Sequence, residues 1–113
     1  MKNIKIILIT IFGGFLFVSC DSATTQDLSP IVIAPKYTAN VKPVFSANCT
    51  GCHSGGSQPP DLDSYTAVKD ATLNGNVVCK ISGSCGAIMP PSGALPQATI
   101  NLIKTWKSNG CPE

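Results

Sequence analysis

Cys49-Thr50-Gly51-Cys52-His53 is the stretch on which the reading of this chain turns, and apolar residues lead into it. Val44 and Phe45 fall three and four residues after Val41, the spacing that places side chains on one face of a helix. Carried one turn further, the same spacing brings Cys49, Cys52 and His53 to a common face. Thr38 is placed to cap this helix. Pro43 lies five residues after that cap, too late for a first turn, so the regular helix starts nearer Lys42 or bends there.

Working outward, Asp63-Ser64-Tyr65-Thr66-Ala67-Val68-Lys69 suits a short helix with Leu62, Tyr65 and Val68 on one side. Asn74-Gly75-Asn76 is a turn signal, followed by Val77, Val78 and Ile81 in a short helical or extended segment. Pro96 fits the opening of a last helix, where its missing N–H costs nothing. Ile100, Ile103 and Trp106 then recur every three residues, and Gly110 is placed to end the helix. Three to four helices without a strand pattern or an internal repeat predict an all-α domain over residues 37–113. Its apolar inventory is thin, and domains of this size usually need a staple or a cofactor to complete the core.

The pentapeptide C-x-x-C-H is the sequence form of covalent c-type haem attachment. Two thiols at i and i+3 reach the haem vinyl groups while the imidazole at i+4 reaches iron, and Gly51 leaves room for the ring. Two other readings compete. Cys49 and Cys52 could pair in a structural disulfide, or Cys49, Cys52 and His53 could bind zinc with Cys79 or Cys85 as the fourth ligand. Exported cysteines seldom stay reduced for structural zinc.

With these residues in view, the segment from about 37 to 110 resembles the small class I cytochrome c family. A helix enters Cys49-Thr50-Gly51-Cys52-His53, a Met-Pro-Pro sequence follows at Met89-Pro90-Pro91, and a helix carrying Trp106 ends the domain. The resemblance implies that the first and last helices pack together around one haem, with His53 and Met89 as the two axial iron ligands. The inventory of ligands agrees: beyond residue 19, His53 is the single histidine and Met89 the single methionine. A proline-stiffened loop also reduces the ordering cost of bringing a weak thioether to iron. Trp106, Phe45 and Tyr65 read as core or haem-edge packing.

Three further cysteines remain in this domain. Cys79 and Cys85 enclose Lys80-Ile81-Ser82-Gly83-Ser84, and closing that loop as a disulfide would stabilise by roughly 2 to 2.5 kcal/mol on chain-entropy grounds. This pairing is favoured because the glycine-containing segment is short enough to close, and it would also brace the approach to Met89. A bridge from either cysteine to Cys111 stays open.

The amino-terminal end is of a different kind. Lys2 and Lys5 precede an uncharged run from Ile6 to Val18, followed by the small Ser19 and then Cys20. A basic start, an apolar core and a small residue at the boundary form a secretory signal over residues 1–19, and the run is short of the roughly 20 apolar residues that a spanning helix needs. Phe17-Val18-Ser19-Cys20 resembles a bacterial lipobox, with Phe17 where an aliphatic residue is usual, and the resemblance implies lipidation of Cys20. Residues 20–36, rich in small polar residues and ending on two prolines, read as a linker to the anchor.

Of eight basic residues, two lie in that signal, so six scattered lysines face six acids in the exported part, and arginine is absent. Nothing in this balance supports a nucleic-acid partner. The expectation is a mono-haem electron carrier, not an enzyme, held by a lipid anchor on the periplasmic side of a membrane or at the cell surface and exchanging electrons with redox proteins. The alternative is a peroxidase-like or gas-sensing haem whose Met89 is displaceable, for which a second histidine or an arginine to assist O–O cleavage is missing.

Overall fold

The computed structural model describes residues 31–113. The expected signal over residues 1–19, the lipidation of Cys20 and most of the 20–36 linker lie outside the described residues. Among those described, the chain is helical and has no strand.

The chain enters the fold through a π-helical turn, Tyr37–Val41, which runs directly into α1, Lys42–Asn48. Thr38 does not cap this entry; it lies exposed inside the turn, and the residue at the start is Lys36. Lys36 donates its backbone N–H to Asn40 Oδ1 at 3.0 Å. Pro43 explains the wide turn, because it has no N–H to give and its ring would strike the carbonyl of residue i−4 in a tight α-turn. The N–H groups of Val41 and Lys42 therefore reach back five residues, to the carbonyls of Lys36 and Tyr37, and regular α geometry begins with proline in the first turn of α1.

Helix α2, Tyr65–Leu73, is capped by Ser64, whose hydroxyl accepts from the Ala67 N–H, satisfying one of the donors that a helix start leaves unpaired. A tight turn joins it to α3, Val77–Ile81. At Gly75 an added Cβ would lie 2.7 Å from the Ala71 carbonyl oxygen, so only glycine lets the two helices fold back this closely. The last helix, α4, Gln97–Ser108, begins directly after Pro96 and buries Ile100, Ile103 and Trp106, as the three-residue repeat predicts.

Helix α4 ends on a paired carboxy-terminal motif. Gly110, at φ 78°, donates to the Lys107 carbonyl, and the Cys111 N–H donates to that of Trp106; these two bonds occupy carbonyls that would otherwise be orphaned. The tail then knots the fold together. Trp106 Nε1 and the Tyr37 backbone N–H both donate to the Pro112 carbonyl, at 2.8 and 2.9 Å, and the Tyr65 hydroxyl donates to the Cys111 carbonyl at 2.9 Å. The entry turn, α2 and α4 thus converge on two residues, with the rings of Tyr37, Tyr65 and Trp106 stacked at tilted angles between them.

Val41, Phe45, Val68, Ile81, Ile103 and Trp106 form the centre of the core, each such side chain contributing about 1.5 to 3 kcal/mol on burial. Packing reaches slightly before residue 37: Pro35 is fully buried, and Asn109 Nδ2 donates to the Ile33 carbonyl. Among the described residues, no helix is long and apolar enough to cross a membrane.

Candidate functional site

Beyond α1 the backbone keeps turning. The N–H groups of Cys52 and His53 both donate to the Cys49 carbonyl, at 3.1 and 2.9 Å, and Cys49 itself donates to Phe45 at 2.8 Å. The pentapeptide is therefore one more helical turn, in which i, i+3 and i+4 share a side. The side chains of Thr50 and Ser54 hold it in place by donating to the carbonyls of Ser46 and Thr50.

This turn opens onto a cleft of about 960 Å³, at the upper end of the size range of small-molecule and cofactor sites. Phe45, Leu62, Ala71, Val77 and Ile81 give it apolar walls, and Cys49, Cys52, His53 and Met89 all line it. The four residues singled out from the sequence thus meet at one cavity, although 36 positions separate His53 from Met89. Cys49 and Cys52 are not bonded to each other. Burial pushes the Cys49 thiol above its ordinary range by desolvating the thiolate.

The His53 ring is fixed by two acceptors. Its Nδ1 lies 3.0 Å from the Gln58 carbonyl and 3.1 Å from that of Pro60. Carbonyl oxygens only accept, so Nδ1 carries a proton; in the neutral ring this leaves the lone pair on Nε2, the tautomer that a metal-ligating imidazole needs. The loop making this cradle is itself pinned: Asp61 and Asp63 accept from the backbone of Gly56 and Gly55, and Leu62 donates to the His53 carbonyl at 2.7 Å. No family model matches this chain, and no curated protein or solved structure matches it.

Cys79 and Cys85 are joined in a disulfide, with their Cα atoms 5.5 Å apart. Two of the thiols that a zinc reading would draw on are consumed in this way, and among the described residues no three His, Cys, Asp or Glu side chains gather as a metal site. Cys111 is free and fully buried behind the end of α4. Desolvation pushes its thiol up, partly countered by Lys69 and Lys107.

The bridged loop leads to Met89, whose N–H donates to the Lys80 carbonyl at 3.1 Å and whose side chain is half-buried. Lys80 is the one lysine among the residues that line the cleft, which also include Asp61 and Asp70.

The residues suit the group that their pattern implies. An apolar cavity of cofactor size carries two unbonded thiols, an imidazole with a free Nε2 and a thioether, which is the donor set of a covalently held haem. The residues not foreseen from sequence are those that contact His53 and the Met89 loop: Gln58 and Pro60 act through backbone carbonyls, which no side-chain pattern reveals, and Lys80 looks in sequence like any other surface lysine.

Proposed function

We propose that the cleft holds one haem, attached through Cys49 and Cys52 and ligated by His53 and Met89, and that the protein carries single electrons between redox proteins. The observation that carries this reading is the opening of the Cys49–His53 helical turn onto the same apolar cavity that Met89 lines. Haem supplies one-electron iron chemistry there.

The protein's own residues define how that chemistry is limited. Gln58 and Pro60 keep Nε2 of His53 available and oriented. Met89 would hold the iron as a second protein ligand beside His53, which would favour outer-sphere electron transfer over the binding of peroxide or gases, and its soft sulfur would favour the reduced state relative to two nitrogen ligands. Phe45, Leu62 and Ile81 would give the bound group an apolar surround, which would reduce the solvent that reorganises when the charge changes. The competing zinc reading draws support from Cys79 or Cys85 only as free thiols, which the bridge between them removes.

The test is an absorption spectrum of protein matured in a host that attaches haem, repeated after denaturation and extraction with acidified organic solvent. Retained pigment with c-type bands is the expected result; a colourless protein overturns the reading.

The lipid anchor is a separate part of the proposal, supported by the signal-like residues 1–19 and the cysteine that follows them. Cys20→Ala is expected to move the exported protein from the membrane fraction to the soluble fraction, since the proposed lipid would be carried by that thiol. Membrane retention of the exported variant would remove the anchor from the account.

A further inference from the structure

Lys80 touches the Met89 loop at three points. Its backbone carbonyl accepts from Gly83 at 3.2 Å and from Met89 at 3.1 Å, and its ammonium donates to the Cys85 carbonyl at 3.1 Å. The side chain is half-buried against the cleft. Around it the loop is already short: Cys79 and Cys85 are bridged, Ser84 donates its N–H to the Cys79 carbonyl, and Ile88 packs beside Gly83, which is at φ 68°. The bridge fixes where the loop leaves α3. From Cys85 onward, Lys80 alone provides the hydrogen bonds that the structure records to Met89 and to the Cys85 carbonyl.

We propose that Lys80 is the positioning residue for Met89. Its ammonium closes the 79–85 loop over α3, and this closure delivers the Met89 backbone to the Lys80 carbonyl. A hydrogen bond from a charged donor is roughly twice as strong as a neutral one. A thioether is a weak ligand, so the fraction of molecules with Met89 in place is sensitive to how well its loop is ordered. The disulfide confines the loop and the lysine sets its final register.

This inference rests on Met89 being an axial ligand, and the experiment separates the two. Lys80→Leu keeps apolar bulk and a good helix former while removing the ammonium and adding no sulfur to the cleft; Lys80→Arg keeps a cation able to donate to the Cys85 carbonyl. The readouts are the iron–methionine charge-transfer band of the ferric protein and the affinity of the ferrous protein for carbon monoxide. Reduction potential is not used, because removing a charge beside the iron would shift it whatever the loop did.

Lys80→Leu is expected to weaken the band and raise carbon monoxide affinity about tenfold, the consequence of losing one charge-assisted bond, and Lys80→Arg is expected to leave both as in the unaltered protein. A Lys80→Leu protein with a lowered unfolding midpoint but an unchanged band and affinity would make the residue merely structural and overturn the inference. Absence of the band from the unaltered protein would instead remove Met89 as a ligand. Should Lys80→Leu fail to mature, amide exchange in the unaltered haem protein decides: a Met89 N–H protected well beyond that of neighbouring exposed loop residues supports the proposal, and exchange at loop rates overturns it.

Discussion

Replacing both Cys49 and Cys52 by alanine is expected to give a protein from which all pigment is extracted by acidified organic solvent, whereas either single replacement keeps it covalently bound through one thioether. The reason lies in the helical turn, where Cys52 and His53 both bond back to the Cys49 carbonyl. That turn holds the His53 imidazole and both thiols to one short segment, so an attached haem would stay close to His53 at an effective concentration on the order of millimolar. Once detached and present at about micromolar levels, the same group would stabilise the fold by about 4 kcal/mol less, the equivalent of a thousandfold drop in ligand concentration. The double variant should therefore lose pigment on dilution and unfold at much lower denaturant. Covalent pigment persisting in the double variant would mean that attachment occurs elsewhere.

How much of this could be read in advance differs from element to element, for physical reasons. Helix α4 was legible because Ile100, Ile103 and Trp106 bury one face, and because Pro96 and Gly110 act locally at its two ends. The start of the first helix was legible in part: Pro43 placed the regular helix near Lys42, where α1 begins, but the cap was not legible. Thr38 has the chemistry of a cap, but the missing N–H of Pro43 acts backwards on the preceding turn and widens it, an effect spread over residues that each look helical alone.

The site divides in the same way. Cys49, Cys52 and His53 lie within one turn, so their spacing states their geometry. The cradle of Gln58 and Pro60 carbonyls depends on the path of a loop, and the convergence of Tyr37, Tyr65 and Trp106 on Cys111 and Pro112 depends on tertiary docking. Periodicity reports which side chains are buried and is silent on which backbone groups meet. The Cys79–Cys85 pairing shows the intermediate case: loop length favoured it, but only the burial of Cys111 beneath the end of α4 separates it from the alternatives.

Met89→Ala is expected to keep covalent haem while opening the sixth iron position to water and added ligands. Cys49, Cys52 and His53 are untouched by the change, so pigment content should match that of the unaltered protein. Because Met89 is half-buried, stability should fall by about 1 to 2 kcal/mol, below the roughly 2 to 5 kcal/mol of a fully buried methionine truncated to alanine. The functional change should be larger. Losing the soft sulfur removes the ligand that favours Fe(II), and the reduction potential should drop on the order of 0.1 V or more, within the roughly 0.8 V that axial ligation spans. The iron–methionine charge-transfer band should vanish, and the reduced variant should bind carbon monoxide that the unaltered protein excludes. Measuring potential, band and carbon monoxide binding together also separates the two functional readings. If the unaltered protein already takes up carbon monoxide readily, and Met89→Ala shifts neither band nor potential, then Met89 is not an axial ligand. The cleft would in that case present an open iron site, and sensing or catalysis at that site would replace electron transfer as the proposed function.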